Sequence, residues 1–144
     1  MQRILIAIDD SAYSMKAAKT GFELAHHLQA SIAVLYVIDK GKEAVNADLG
    51  VTIEGSRSQL RAEAERTIDQ YIRMYDGIGQ VFRFMPEGVP EKEIINIARE
   101  WKPDLIIMGT HGRSGLTRMV TGSVAEYVIR HAEVPVLVTP PHMK

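Results

Sequence analysis

The sequence predicts an α/β sandwich of three layers, in which an open, five-stranded, mostly parallel sheet lies between two layers of helices. Two observations predict this class. Short apolar runs alternate with helical patterns along the chain, and parallel strands require crossovers of that kind. The runs also lack polar alternation, which is typical of strands covered on both faces. We therefore expect one domain over residues 1–144, a length sufficient to bury a core.

The first half of the chain contains two predicted strands with a helix between them. Residues 4–8 form a short apolar run, and residues 11–30 carry apolar side chains at helical spacing. Residues 31–39 are continuous and β-branched, so we expect a second buried strand. The polar segment 40–55 is long for a connection and contains glycine, which predicts a lid or a mobile loop.

The second half supplies three more strands and three helices. Ser56 and Gln59 fit a capping box at the start of the next predicted helix. A weakly alternating segment after that helix predicts an edge strand, and Pro90 suits the first turn of the helix that follows. In chain order we expect a helix over 56–75, an edge strand over 80–88, a helix from 90 to 101, a strand over 104–108, a helix over 123–131 and a strand over 134–140.

Composition excludes several classes of protein. The net charge of -1 provides no global basic field, so we do not expect a nucleic acid as partner. The chain has no cysteine, which excludes disulfides and thiolate metal sites and fits a reducing compartment. No apolar segment reaches the length of a membrane span, and the opening lacks the long apolar region of a secretory signal. We expect a soluble, cytoplasmic protein.

The stretch GTHGRSGLTRMVTGS, residues 109–123, follows a predicted strand and predicts an anion site. Glycine lets a backbone approach a ligand without a Cβ in the way. Gly122 and Ser123 open a helix whose first amides are unpaired, and such amides attract phosphate. Positive potential would come from three nearby side chains, His111, Arg113 and Arg118.

An alternative interpretation, in which this stretch binds no ligand, stays open. Ser123 and Glu126 also fit a capping box, which would use the same helix start for stability alone. The common nucleotide motifs are missing, because no G-x-x-x-x-G-K-[ST] occurs and the first turn, DDSAYS, has no glycine. A nucleophile elbow is also excluded, since Leu116 stands at its final glycine position.

The pattern G-x2-G-x9-G-[ST] resembles the ATP-binding motif of the universal stress protein family, and it is formed here by Gly109, Gly112, Gly122 and Ser123. The resemblance covers almost the whole chain. Four segments are similar to that family in the same order, namely ILIAIDDSAYSMKAA, VLYVID, DLIIMGTHGRSGL and GSVAEYVIRHAEVPVLVTP. Ala7 and Asp10 depart slightly from the family's opening, where small or proline and glycine residues are common. The resemblance implies a Rossmann-like fold of the adenine nucleotide alpha hydrolase-like type.

The resemblance also implies a site for ATP, or for ADP or AMP, together with Mg²⁺. In it Asp9 lies beside the nucleotide, and the backbone near Val37 meets the adenine edge. Asp9 suits a ribose hydroxyl or a bridging Mg²⁺, although capping of the first helix is an equal alternative. Met108 and Gly109 flank the base and ribose. The nucleotide-binding residues expected are Ala7, Asp9, Val37, Met108, Gly109, Gly112, Arg113, Gly122, Ser123 and Val124.

The resulting interpretation is a stress-response protein that acts as a nucleotide-dependent regulator, with no catalytic residue assigned. One alternative is a slow ATPase or another adenine-nucleotide enzyme, although no base–nucleophile pair is evident. Another is a phosphorelay receiver-like domain, because Asp9 and Asp10 follow the first strand. Receivers need an aspartate ending the third strand and a lysine ending the fifth, and both are missing here.

The last predicted strand is also the predicted interface of a symmetric homodimer. Its apolar sequence has no lysine or glutamate to guard an edge, and Pro135 is tolerated at an edge. A two-fold axis would pair this strand with its own copy and bury Val136 and Val138, or Leu137. The family resemblance implies a dimer through the same strand.

Overall fold

A computed structural model describes residues 1–39, 53–75, 80–110 and 122–140. Of the predicted features, the loop residues His111, Gly112, Arg113 and Arg118 and the segment 40–52 lie outside these ranges. The elements in chain order are β1 (Arg3–Ile8), α1 (Tyr13–Leu28), β2 (Ser31–Tyr36), β3 (Ile38–Asp39), α2 (Ile53–Ile72), β4 (Val81–Phe84), β5 (Glu87–Gly88), α3 (Pro90–Trp101), β6 (Leu105–Gly109), α4 (Ser123–His131) and β7 (Val136–Thr139).

Five of these strands form one parallel sheet in the order β4-β2-β1-β6-β7. This arrangement confirms the predicted α/β class and the five-stranded sheet. The prediction that residues 80–88 and 134–140 supply edge strands is also confirmed, because β4 and β7 are the two outer strands. The central position of β1 explains why its apolar run is uninterrupted.

Both faces of the sheet are buried, which makes the fold three-layered. Ile4 and Ile6 of β1 pack on one face with α1 and α2, while Leu5 and Ala7 pack on the other face with α3 and α4. The three larger side chains have no solvent exposure. Burying an aliphatic side chain of this size contributes about 1.5–3 kcal/mol. The predicted two-sided burial of the first strand is therefore confirmed.

The order of the strands also tests the phosphorelay receiver-like alternative. Counting only strands of the main sheet, the chain runs outward from β1 through β2 to β4 and then returns to the other side of β1 for β6 and β7. Receiver domains instead place their second strand at an edge and their third beside the first. The phosphorelay receiver-like alternative is therefore wrong. The reversal between β1 and β6 creates a crevice at their carboxyl ends, where ligands bind in such sheets.

Two predicted strands are divided by the structure. Ile38 and Asp39 leave β2 and pair with Glu87 and Gly88 in a separate two-stranded sheet. Pro86 explains the division between β4 and β5, because proline has no N–H to donate to a ladder. Its carbonyl instead accepts a hydrogen bond from the N–H of Ile38 at 2.8 Å.

The second helix starts earlier than the sequence predicts. Because α2 begins at Ile53, Ser56 lies inside its first turn and is buried. The predicted capping box of Ser56 and Gln59 is therefore wrong, since an N-cap residue must precede the helix.

Candidate functional site

A cavity of about 260 Å³ opens at the crevice between β1 and β6. Its wall brings together most of the predicted nucleotide-binding residues, which come from four separate parts of the chain. Gly122, which is also predicted, is buried directly before Ser123 at the start of α4. Gly112 and Arg113 lie outside the described residues. The predicted residues in the wall are Ala7, Asp9, Val37, Met108, Gly109, Ser123 and Val124.

The wall of the cavity has an apolar part and a polar part. Polar groups come from Asp9 and Asp39, which follow β1 and end β3, and from Thr110 and Ser123 beside β6 and α4. An apolar wall with few convergent polar groups is typical of small-molecule sites. The apolar part consists of Ala7, Ile8, Leu35, Val37, Ile38, Leu60, Pro90, Ile94, Met108, Val124 and Ala125.

Several wall residues were not predicted from the sequence. Asp39 and Thr110 could have been found, because each stands at or just after the carboxyl end of a predicted strand. Leu60 and Ile94 carry no such signal. They lie on the helices α2 and α3 and reach the cavity only through the packing of those helices. Ser14 was also missed, although it lies only a few residues after Asp9.

The Asp9 carboxylate is held by its own turn. Its Oδ1 accepts hydrogen bonds from the Ser11 N–H and the Ser14 hydroxyl, both at 2.8 Å, and from the Ser11 hydroxyl at 2.5 Å. Oδ2 forms no hydrogen bond with any residue in the described ranges. The N-cap of α1 is Ala12, which has helical φ and ψ and no side-chain cap. The alternative in which Asp9 caps the first helix is therefore wrong.

The start of α4 lines the same cavity through Ser123 and Val124. Gly122 is the N-cap, and Ser123 is the first helical residue rather than the cap. No side chain caps this end, and Glu126 instead pairs with Arg130 at 2.8 Å. The capping-box alternative for Ser123 and Glu126 is therefore wrong. Among the described residues no side chain bonds to the first amides of α4, and such amides favour anions.

Gly109 has a structural role in addition to its place in the cavity wall. It is the last residue of β6 and does not have a positive φ. A Cβ built on Gly109 would lie 2.9 Å from the carbonyl oxygen of Tyr13. Glycine here lets the first residue of α1 pack against the end of β6.

Thr110 contributes a buried hydroxyl to the wall. The residue is 8% exposed, and within the described part of the chain its Oγ1 has no hydrogen-bond partner. Burying a hydroxyl without a partner costs about 1–3 kcal/mol. A buried polar group in this state calls for an explanation, and a bound water, ion or ligand is one of them.

The electrostatic influence of Asp9 extends to α2. Burial, followed by the negative charges of Asp9 and Asp10, raises the pKa of the Tyr71 hydroxyl to about 12. The charges of both carboxylates oppose ionisation of the phenol. Tyr71 is therefore neutral at physiological pH.

Within residues 1–39, 53–75, 80–110 and 122–140, no group of three or more His, Cys, Asp or Glu side chains could hold a metal ion. Among the helices in those ranges, none combines the length and apolar character needed to cross a membrane.

Comparison with known proteins identifies relatives over nearly the whole chain. The model of the universal stress protein family matches residues 1–140. The chain is 37% identical to universal stress protein MJ0531 of Methanocaldococcus jannaschii, over 95% of this chain and 81% of that protein. The solved structure of MJ0577 from the same organism matches with a TM-score of 0.85 at 27% identity, over 99% of this chain and 98% of that one. A universal stress protein in complex with cAMP has a TM-score of 0.70 at 20% identity, over 98% of each chain, and shows the same fold.

Proposed function

This chain belongs to the universal stress protein family, and from that premise we propose that it binds an adenine nucleotide, with ATP as the first candidate. We further propose that it acts in the stress response as a nucleotide-dependent regulator. In this proposal the protein acts through its nucleotide-bound state and not through fast catalysis. The proposed location is the cytoplasm, which cell fractionation would test.

The observation that carries the proposal is the cavity at the strand-order reversal, whose lining combines an apolar wall with the start of α4, which has no side-chain cap among the described residues. The apolar wall suits a planar base. Val37 lies between β2 and β3 and outside both ladders, so its main chain suits the adenine edge. The amides at Ser123 and Val124 suit the phosphates. A structure of the same fold with cAMP makes adenine nucleotides the first class to test.

Mg²⁺ is part of the proposal because Asp9 would otherwise repel phosphates. Its Oδ2 forms no hydrogen bond with the described residues and is an oxygen that can coordinate a metal. Mg²⁺ is commonly held by one or two carboxylates together with phosphate oxygens. If this is correct, ATP should bind more tightly with Mg²⁺ than with a chelator. Asp9→Asn should remove most of that difference. Equal affinity with and without Mg²⁺ would exclude the ion from the site.

Two measurements test nucleotide binding directly. Mass spectrometry of small molecules released from the denatured protein should detect an adenine nucleotide, and calorimetry with Mg-ATP should show binding. Gly122→Val should abolish it, because a side chain would block approach to the α4 amides. The matched control is Gly55→Val, since Gly55 is exposed near the start of α2. A wild-type protein that binds no adenine nucleotide at millimolar concentration would overturn the proposal.

Selectivity for the base tests the role of Val37 separately. Main-chain contacts would favour the donor and acceptor pattern of adenine, so GTP should bind more weakly than ATP. Equal binding of the two nucleotides would remove the adenine-edge role while leaving the phosphate site intact.

The catalytic alternative is a slow ATPase that uses the same cavity. Hydrolysis needs a residue that positions water and strong charge compensation at the γ-phosphate. In our proposal phosphate release stays below the roughly 1–10³ s⁻¹ of typical enzymes. A rate within that range would replace the regulator with an enzyme.

A further inference from the structure

Ser14 and Asp9 form a reciprocal pair of hydrogen bonds at the edge of the cavity. The Ser14 Oγ accepts the main-chain N–H of Asp9 at 2.7 Å and donates to Asp9 Oδ1 at 2.8 Å. A single hydroxyl therefore fixes both the backbone and the carboxylate of Asp9. Ser14 is only 5% exposed, so water does not compete freely for these bonds.

The same hydroxyl is not available for other roles. A serine hydroxyl has one proton, and the proton of Ser14 is directed at Asp9 Oδ1. Ser14 also does not cap α1, because it lies within the helix and the N-cap is Ala12. Although Ser14 lines the cavity, its geometry therefore points toward Asp9 and not toward a ligand.

The donors around Asp9 are distributed unequally between its two oxygens. Three donors converge on Oδ1, namely the Ser14 hydroxyl and both the N–H and the hydroxyl of Ser11. Within the ranges that the structure describes, none reaches Oδ2. An oxygen with three donors has no lone pair to spare, so one oxygen of the carboxylate remains for a molecule in the cavity.

We propose that Ser14 is a positioning residue of this site, which fixes the Asp9 carboxylate so that Oδ2 alone is presented to the ligand. This role rests on the proposed nucleotide binding. The ligand group that fits Oδ2 is a hydrogen-bond donor or a cation, since either binds an anionic oxygen. A ribose hydroxyl is such a donor, and a phosphate-bound Mg²⁺ is such a cation.

A double-mutant cycle measured by calorimetry with ATP tests the role. The proteins are the wild type, Ser14→Ala, Asp9→Ala and the double variant, each also checked by thermal unfolding. Ser14→Ala should weaken ATP binding about tenfold, which is the value of one hydrogen bond to a charged group. In the Asp9→Ala background the same change should alter the affinity less than twofold, because no carboxylate remains to be positioned. Interaction between neighbouring residues appears as such non-additivity.

A matched control and a second variant support the cycle. Ser11→Ala removes one hydroxyl donor but keeps the N–H of residue 11 on Oδ1, so it should weaken binding less than Ser14→Ala does. If Ser14→Ala does not fold, Ser14→Cys gives the same comparison, because a thiol has similar size but is a weak donor and acceptor.

Two further binding measurements identify the group of the ligand that contacts Oδ2. If it is a ribose hydroxyl, 2′-deoxy-ATP or 3′-deoxy-ATP should bind more weakly than ATP to the wild type but not to Asp9→Ala. If it is Mg²⁺, the effect of Ser14→Ala should disappear in a chelator.

The outcomes separate this role from the proposed function. A wild type that binds no ATP would overturn both. If the wild type binds ATP and Ser14→Ala changes the affinity less than twofold, the positioning role alone would be overturned. An equal loss from Ser14→Ala in both backgrounds would also overturn it, because the effect would then not pass through Asp9.

Discussion

Gly109 and Tyr13 are in direct main-chain contact between β6 and α1. A Cβ at position 109 would lie 2.9 Å from the Tyr13 carbonyl oxygen and 3.2 Å from its carbonyl carbon. Real Cβ atoms do not approach backbone so closely, so only glycine fits without a shift. The contact holds the first turn of α1 beside the cavity, where Ser14 meets Asp9. A glycine of the ligand motif therefore also supports the fold.

Gly109→Ala should lower the free energy of unfolding by about 1–3 kcal/mol, the usual cost of overpacking. The reason is that the new methyl group would have to push the Tyr13 backbone away from β6. Urea unfolding measures the change. Gly55→Ala is the control, because Gly55 is exposed in α2 and alanine should be neutral or stabilising there. An unchanged stability of Gly109→Ala would contradict the close contact.

Thr110→Val should leave the ligand-free protein equally stable or make it more stable. Valine has the shape of threonine, and it removes a buried hydroxyl that has no partner among the described residues. Thermal unfolding without nucleotide checks this expectation, with Thr110→Ser as the variant that keeps the hydroxyl. Calorimetry with ATP on the same proteins tells whether a ligand uses Oγ1, since only the valine variant would then lose affinity. Destabilisation of Thr110→Val by more than about 1 kcal/mol would mean that the hydroxyl is bonded.

Tyr71 should make the protein lose stability at alkaline pH. Its pKa is raised to about 12 in the folded state, by burial first and then by Asp9 and Asp10, whereas the ordinary value is 10.0. The folded state therefore holds this proton more tightly than the unfolded state does. The associated stability is fully present below pH 10.0 and is lost as the pH rises toward 12.

Unfolding in urea at several alkaline pH values measures this loss, and Tyr71→Phe should remove it. Asp9→Ala should lower the pKa of Tyr71, which phenolate absorbance would detect by difference from Tyr71→Phe. A slope of stability with pH that is the same in Tyr71→Phe would assign the effect to another group.

The homodimer through β7 remains a proposal that light scattering can test. Within the described residues β7 pairs only with β6, so its outer edge offers free main-chain groups. Val136, Leu137 and Val138 are each half-buried against the protein's own core clusters. The wild type should be a dimer at micromolar concentration.

Charged substitutions on the two sheet edges separate this interface from others. Val136→Lys or Leu137→Lys should shift the protein to monomer, because lysine on an edge strand opposes pairing. Phe82→Lys is the matched control, since Phe82 is exposed on the opposite edge strand, β4. A monomeric wild type would refute the dimer. A dimer that withstands both β7 substitutions would place the interface elsewhere.

Much of the fold was predictable because its signals are local. The runs at residues 4–8 and 104–108 are apolar without alternation, and the structure buries them on both faces of the sheet. Asp9 after β1 and Thr110 after β6 stand at the carboxyl ends of two neighbouring parallel strands. The family motif then indicated which residues to group around one ligand.

The sequence by itself determined the class of the fold, the sheet edges and the family. Only the tertiary structure decided the division of strands at Pro86, the packing role of Gly109 and the share of Ser14 in holding Asp9. The physical reason is that periodicity reports which residues are buried but not which atoms meet. Ile38 bonds to Pro86 and Gly109 touches Tyr13 across long stretches of chain, and such contacts exist only after the elements have packed.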